Sequence, residues 1–294
     1  MYRAVRIVDG RAVILKVLDP KHNRPREVDR LRNEYELGRT LKGLAVVEPL
    51  ALSSFQGLPA LELEDFRAQP LDRFVGRPMP IDVFLGLAPR VAAVVADIHG
   101  RGLIHKDLKP HNILFDEDTG EVRIADFCIA SRVAREQTAA RPARLIEGSL
   151  PYVSPEQTGR MNRSIDSRSD LYSLGVTFYQ LLTGRLPFEA TDAIGWVHGH
   201  VARKPAPPDA VRPSIPEVLS AIVLKLLAKV PDERYQSAAG LAHDLDRCRQ
   251  QWHQTRRILP FPLGERDISD RFLIPQSSTG AQPNGRSCRM RSSA

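Results

Sequence analysis

The ten residues His105-Lys106-Asp107-Leu108-Lys109-Pro110-His111-Asn112-Ile113-Leu114 constrain this chain more than any other stretch. An acid, a cation and an amide stand close together and run directly into an apolar, strand-like segment. A second acid, Asp126, closes another short apolar run at Ile124-Ala125. Between the two runs, the turn-rich Asp116-Glu117-Asp118-Thr119-Gly120 predicts a hairpin. Such a hairpin carries Asp107, Asn112 and Asp126 into one cleft. Asp and Asn are also ordinary turn residues, so the weight of the motif depends on what surrounds it.

The D-x-x-x-x-N spacing of Asp107 and Asn112 is one that phosphoryl transfer uses, with the acid accepting a proton from an incoming hydroxyl and the amide holding a magnesium ion. Upstream, Tyr2 to Val8 and Ala12 to Leu18 read as strands around an Asp9-Gly10 turn. Lys16 lies inside the second, in Val13-Ile14-Leu15-Lys16-Val17-Leu18. Burying an unpaired ammonium is costly, so Lys16 either needs an anionic partner or reaches water from an edge strand. Glu27 to Leu41 has helical periodicity, and two further strand-like runs follow at Ala45 to Leu52 and Leu58 to Leu63. The apolar spacing from Asp82 to His99 is again helical, with Pro89 expected to bend or split it. Asp170 opens another helix as a plausible N-cap. Leu219 to Leu227 is amphipathic, and Leu241, Leu245 and Cys248 are expected to line the last helix.

The composition excludes several classes. Formal charge is +7, but the arginines are scattered and aromatic residues make up only 6%, so no basic-aromatic platform for nucleic acid is present. The cysteines Cys128, Cys248 and Cys288 form no C-x-x-C pair and are odd in number, which points to a reducing compartment without structural disulfide or zinc. His198-Gly199-His200 is only a weak metal-like spacing. No leader pattern opens the sequence, and Asp97 and Lys225 break the two best apolar runs. The expectation is a soluble cytoplasmic protein with no membrane contact.

On these residues the chain resembles the eukaryotic-type protein Ser/Thr kinase superfamily. HKDLKPHNIL is similar to its catalytic loop, DFC to a variant of its metal-binding DFG, GSLPYVSPEQ to the end of its activation segment, and SDLYSLGVTFYQLLTGRLPF to its following central helix. SPEQTGRMNRSIDSRSDLYSLGVTFYQLLTG is more narrowly similar to the kinase module of bacterial multidomain sensor kinases that also carry ATPase and histidine kinase modules. The resemblance implies a bilobal α+β fold, with a β-rich small lobe at residues 1–65 and a helical large lobe at 66–252. A linker at 253–275 and a disordered tail at 276–294 are expected to follow. It implies ATP and Mg2+ as cofactors and a protein Ser/Thr hydroxyl as substrate, since Ser149 precedes Leu150-Pro151-Tyr152. Asp107 is the implied base, Lys109 neutralises the transferring phosphoryl group, and Asn112 and Asp126 hold the metal. Lys16 pairs with Glu34 or, alternatively, Glu27. Glu62-Leu63-Glu64-Asp65 is the implied hinge against adenine, with Leu61 behind it. Glu156, paired with Arg234, and Asp170, under the catalytic loop, are implied structural supports.

Three departures qualify the resemblance. Lys106 stands where many kinases have Arg, whose two parallel hydrogen bonds to a phosphorylated loop residue Lys cannot copy. Cys128 replaces a Gly and restricts backbone freedom there. The strand and Gly-rich loop expected ahead of Tyr2, and the ATPase module expected after the connector Leu263 to Phe272, are not in the sequence, so the chain reads as a kinase module trimmed at both ends. The alternative is therefore a kinase-like regulatory module that binds nucleotide or a partner with little phosphotransfer.

Overall fold

The computed structural model describes residues 1–19, 24–133, 146–161 and 163–268, and these build a bilobal α+β molecule. The small lobe is an antiparallel sheet of β1 (Tyr2–Val5), β2 (Ala12–Val17), β3 (Pro49–Phe55) and β4 (Leu58–Glu64), in the order β1-β2-β4-β3. The first strand stops at Val5 rather than Val8, because the turn is wide. Arg6 N–H donates to Arg11 O, Gly10 N–H donates to Arg6 O, and Ile7 and Val8 project into solvent. β3 begins at Pro49, four residues later than the apolar run suggests. Ala45 to Val47 instead bond across to the large lobe: Ile124 N–H donates to Ala45 O and Val47 N–H donates to Ile124 O.

Helix α1 (Pro25–Thr40) starts on a proline, whose fixed φ suits the first helical position. Its buried positions Leu31, Glu34, Leu37 and Gly38 form one face against the sheet. At Gly38 the approach is close, since a Cβ there would lie 2.6 Å from Cγ of Pro49.

In the large lobe α2 (Ile81–Gly100) runs unbroken through Pro89. The proline forfeits one backbone hydrogen bond, but it is itself buried in a face that includes Phe84, Leu87, Val91, Val95 and Ile98. Burying each such side chain is worth about 1.5–3 kcal/mol, so packing outweighs the local rule. α3 (Ser167–Thr183) is buried on nearly every side and is capped by Asp166, which accepts from Arg168 N–H; Asp170, expected as the cap, lies one turn inside. α4 (Ala193–Ala202), the short α5 (Pro208–Val211), α6 (Glu217–Leu226) and α7 (Ala238–Thr255) complete the lobe. Leu241, Leu245 and Cys248 are buried on α7 as expected.

β5 (Gln69–Pro70), β7 (Ile113–Phe115) and β8 (Val122–Ile124) form a small sheet, while β6 (Leu103–Ile104) pairs with β9 (Ser131–Arg132). The β7–β8 hairpin matches its prediction, with Ile113 opposite Ile124. Among the described residues no helix is long and apolar enough to cross a membrane.

The stretch expected as a linker from residue 253 is packed rather than loose as far as Asp267. α7 continues to Thr255, and Ile258, Phe261 and Leu263 then pack against the large-lobe core. The Asp267 carboxylate accepts from Gln236 N–H, Ser237 N–H and Ser237 Oγ. It sits over Gly240, where a Cβ would lie 2.5 Å from its Oδ1. The expected tail at 276–294, and Cys288 within it, lie outside the described residues.

Candidate active site

Lys16 projects from β2 into the space between the lobes. Its Nζ lies 2.7 Å from Glu34 Oε2 on α1 and 2.8 Å from Asp126 Oδ1 beyond β8. Glu27 is turned elsewhere and pairs with Arg30. Burial disfavours the ammonium, but the carboxylates of Glu34 and Asp126 outweigh it and raise the Lys16 pKa. Burial also works against Asp126, yet Lys16 prevails and holds that carboxyl down at about 2. Glu34 is pushed up, because burial exceeds what Lys16 returns to it and Asp126 adds repulsion.

Asp126 has φ +68, a left-handed backbone uncommon outside glycine, though Asp is among the residues that tolerate it best. Its neighbours are fastened from above. Asn33 Nδ2, one residue before Glu34, lies within 3.0–3.4 Å of the carbonyls of Phe127, Cys128 and Ala130. The Cys128 thiol is pushed up by burial and by Asp126, which makes it a poor nucleophile despite its position.

The loop before β7 is equally tied. Asp107 Oδ1 accepts from Ser149 N–H at 2.9 Å, and Oδ2 accepts from Lys109 Nζ at 2.7 Å. Asn112 Nδ2 donates to Asp107 O and Oδ2, so its amide oxygen is the end left to face a cation. Lys109 Nζ also donates to Ser149 Oγ. Below them, Asp170 is fully buried and accepts from His105 N–H, Lys106 N–H and His99 Nε2, and this set of partners keeps its pKa low against burial. His105 is held between Ala125 O and Asp107 N–H, a structural arrangement rather than a metal ligand.

Asn112 and Asp126 line one cavity of about 250 Å³ between the lobes, together with Ile14, Glu34, Leu63, Glu64, Asp65 and Phe66. Larger cavities of about 850 and 700 Å³ open on the large lobe, but none of the residues just described reaches them. Of the expected hinge, Leu63, Glu64 and Asp65 line the cavity and Phe66 joins them. Glu62 does not; its carboxylate approaches Arg6 at 3.8 Å. Leu61 is fully buried in the small-lobe cluster with Val47 and Leu63, behind the cavity wall rather than on it.

Glu156 and Arg234 meet in a two-pronged pair, 2.7 and 2.9 Å, with both side chains buried. Of the activation-segment arginines, Arg132 is exposed, whereas Arg135, Arg141 and Arg144 lie outside the described residues. His200, from the weak histidine pair, is buried between Tyr172 OH and Leu150 O. No cluster of three or more acidic, His or Cys side chains able to hold a metal occurs among the described residues. Sequence reasoning missed Asn33, Glu147 and Gln157. Asn33 carries no local signal, whereas Glu147 could have been sought as the acid opposite Lys106.

A model of the protein kinase domain matches residues 1–245. Pkn1 of Myxococcus xanthus, a serine/threonine-protein kinase, is 33% identical over 231 residues, covering 78% of this chain and 33% of that protein. PknB of Mycobacterium tuberculosis, also a serine/threonine-protein kinase, is 39% identical over 54% of this chain and 26% of its own length. Hybrid signal transduction histidine kinase G of Dictyostelium discoideum is 32% identical over 56% of this chain but only 7% of its own length. The chain thus spans a third or less of these relatives. The PknI kinase domain of Mycobacterium tuberculosis shares the fold, with a TM-score of 0.61 at 22% identity over 83% of this chain and 88% of that one. The chain belongs to the protein kinase family.

Proposed function

We propose that this chain is an ATP- and magnesium-dependent kinase that transfers the γ-phosphoryl group to a Ser or Thr hydroxyl of a protein. The carrying observation is convergence: Lys16 is held between Glu34 and Asp126, and Asp126 shares its cavity with Asn112, which bonds Asp107. Oxygen donors suit magnesium, and Asp126 with the Asn112 amide oxygen would hold it. Bound there, the ion neutralises charge on the phosphate oxygens. Lys16 orients the phosphates, while Leu63 to Phe66 face the adenine and Leu61 backs that wall. Asp107 accepts the proton of the incoming hydroxyl, and Lys109, already bridging Asp107 and Ser149, offsets charge on the transferred group. Positioning and charge placement carry most of this chemistry. Glu156 with Arg234, and Asp170, hold the segments from below. The partners on this reading are a protein substrate and, as the match to a hybrid histidine kinase suggests, further signalling modules of a longer chain.

The test is transfer from radiolabelled ATP to a general protein substrate, run beside Asp107→Asn. The parent should transfer, and the variant should lose at least about a hundredfold, with ATP affinity within about twofold. Equal transfer by both would overturn the role of Asp107. ATP binding without transfer by the parent would favour the regulatory-module reading.

A further inference from the structure

Lys229 lies just beyond α6, on the loop whose carbonyls wrap the Arg234 guanidinium. Its ammonium is poorly provided for. Nζ lies 4.4 Å from the centroid of the Phe188 ring and 5.7 Å from that of Tyr172. Its hydrogen bonds are long, 3.3 Å to Gly199 O and 3.5 Å to Tyr172 OH. Among the described residues no carboxylate pairs with it. Lys16, Lys106 and Lys109, by contrast, each touch a carboxylate within 3.0 Å.

The neighbours offer no remedy. Arg234 Cζ lies 4.9 Å from the centroid of the same Tyr172 ring, so two cations share one aromatic side chain. Glu156, the acid near that ring, is already committed to Arg234 and Ser169. Burial keeps Tyr172 a phenol. His200 is held neutral, its Nε2–H donating to Leu150 O and its Nδ1 accepting from Tyr172 OH. Aromatic faces return only about 0.5–2 kcal/mol to a cation. Burial, with Arg234 adding repulsion, pushes the Lys229 pKa down to about 8. At about pH 7.5 roughly a quarter of the molecules then carry a free amine there, against about a thousandth for an ordinary lysine. The residue is half-buried rather than sealed, which suits a small reagent over a bulky one.

We propose that Lys229 is a modification site that takes an acyl group from a small acyl phosphate, and that acylation there loosens α4. The amine nitrogen attacks the acyl carbon. The C–N bond forms, the C–O bond to phosphate breaks, phosphate leaves with the bonding pair, and the nitrogen gives its proton to water. The product is an uncharged amide with added bulk between Phe188 and Gly199. That contact has no slack, since a Cβ on Gly199 would lie 3.1 Å from Phe188 Cβ. Any displacement there passes to the end of α4, where Arg203 N–H donates to Gly199 O and His200 holds Leu150 O. Neither part of the proposal rests on the kinase reading.

The experiment treats the full chain with acetyl phosphate from about pH 6.5 to 10 and maps acetylation by mass spectrometry. Lys42, exposed and 3.7 Å from Glu48 Oε1, is the internal reference. A weaker base is a poorer nucleophile, which offsets part of the advantage in free amine. Lys229 should still label about tenfold faster than Lys42 at about pH 7.5, and its rate should level off above about pH 8.5 while that of Lys42 keeps rising. In unfolding urea the advantage should vanish. Labelling no faster than Lys42, or an advantage that survives in urea, would overturn the site. Lys229→Arg is the control that cannot be acylated. After the same treatment, hydrogen exchange at the amides of His200 to Arg203 should speed in the parent and not in the variant. Unchanged exchange in a parent acetylated at Lys229 would overturn the loosening of α4.

Discussion

Two of the buried charge sets among the described residues are bonded to different degrees. Arg234, in the large lobe, spends all five N–H donors: Nε on Ala228 O, Nη1 on Glu156 and Arg168 O, Nη2 on Glu156 and Lys229 O. Glu156 takes Ser169 Oγ as well. Lys16, in the cleft, meets two carboxylates and keeps a third N–H; its side chain is 20% exposed, against 0% for Arg234. The saturated pair has nothing left to offer a ligand. The cleft set keeps bonding capacity on the cavity side, which is what a site that must receive phosphate and metal requires. Hydrogen-bond completeness, more than burial, separates the charges that hold the fold from those available for chemistry.

Three perturbations sharpen this contrast, ranked by their effect on stability. Arg234→Ala leaves Glu156 buried and uncompensated and should cost about 3–5 kcal/mol, read as a lowered denaturant midpoint or failure to fold. The second is acid. His200 is held neutral, its pKa pushed down from 6.5 to about 4 by burial, with Lys229 adding to the effect against the Leu150 O hydrogen bond. The unfolded chain therefore takes up the proton first. Stability is complete above pH 6.5 and falls toward pH 4, by up to about 3 kcal/mol. In a urea series across that range, His200→Gln should flatten the fall; an unchanged slope would remove His200 as its cause. The smallest effect on stability belongs to Asp126→Ala, about 1 kcal/mol, because it also relieves repulsion on Glu34. Its functional effect is larger. Calorimetric titration should show magnesium-dependent nucleotide binding weakened by about tenfold or more and magnesium-free binding nearly unchanged. Equal loss in both would mean a folding defect.

What could be read in the sequence was whatever is local. The β7–β8 hairpin announces itself through its turn residues, and Lys16 through the oddity of a cation in an apolar strand. Glu34 could not be told from Glu27, because seven residues on a helix return to a similar face; the choice depends on how α1 sits on β2. Asp166 and Asp170, four apart, pose the same ambiguity for the start of α3. Pro89 was misleading because a local rule met a deeply packed helix. The pairing of Ser149 with Asp107 spans 42 positions and leaves no local trace. The cavity wall starts one residue later than the expected hinge, at Leu63 rather than Glu62, whose carboxylate lies toward Arg6, far away in sequence.

Asp267 changes where this lobe can be said to end. Composition draws the border after Trp252, where prolines gather, yet one carboxylate fifteen positions later holds two backbone amides and a hydroxyl at the start of α7. A gene cut at the compositional border would discard that clasp and leave the groove over Gly240 bare. For anyone dividing a longer protein into pieces, an incision beyond Asp267 keeps the part-buried hydrogen bonds that tie this stretch to the start of α7.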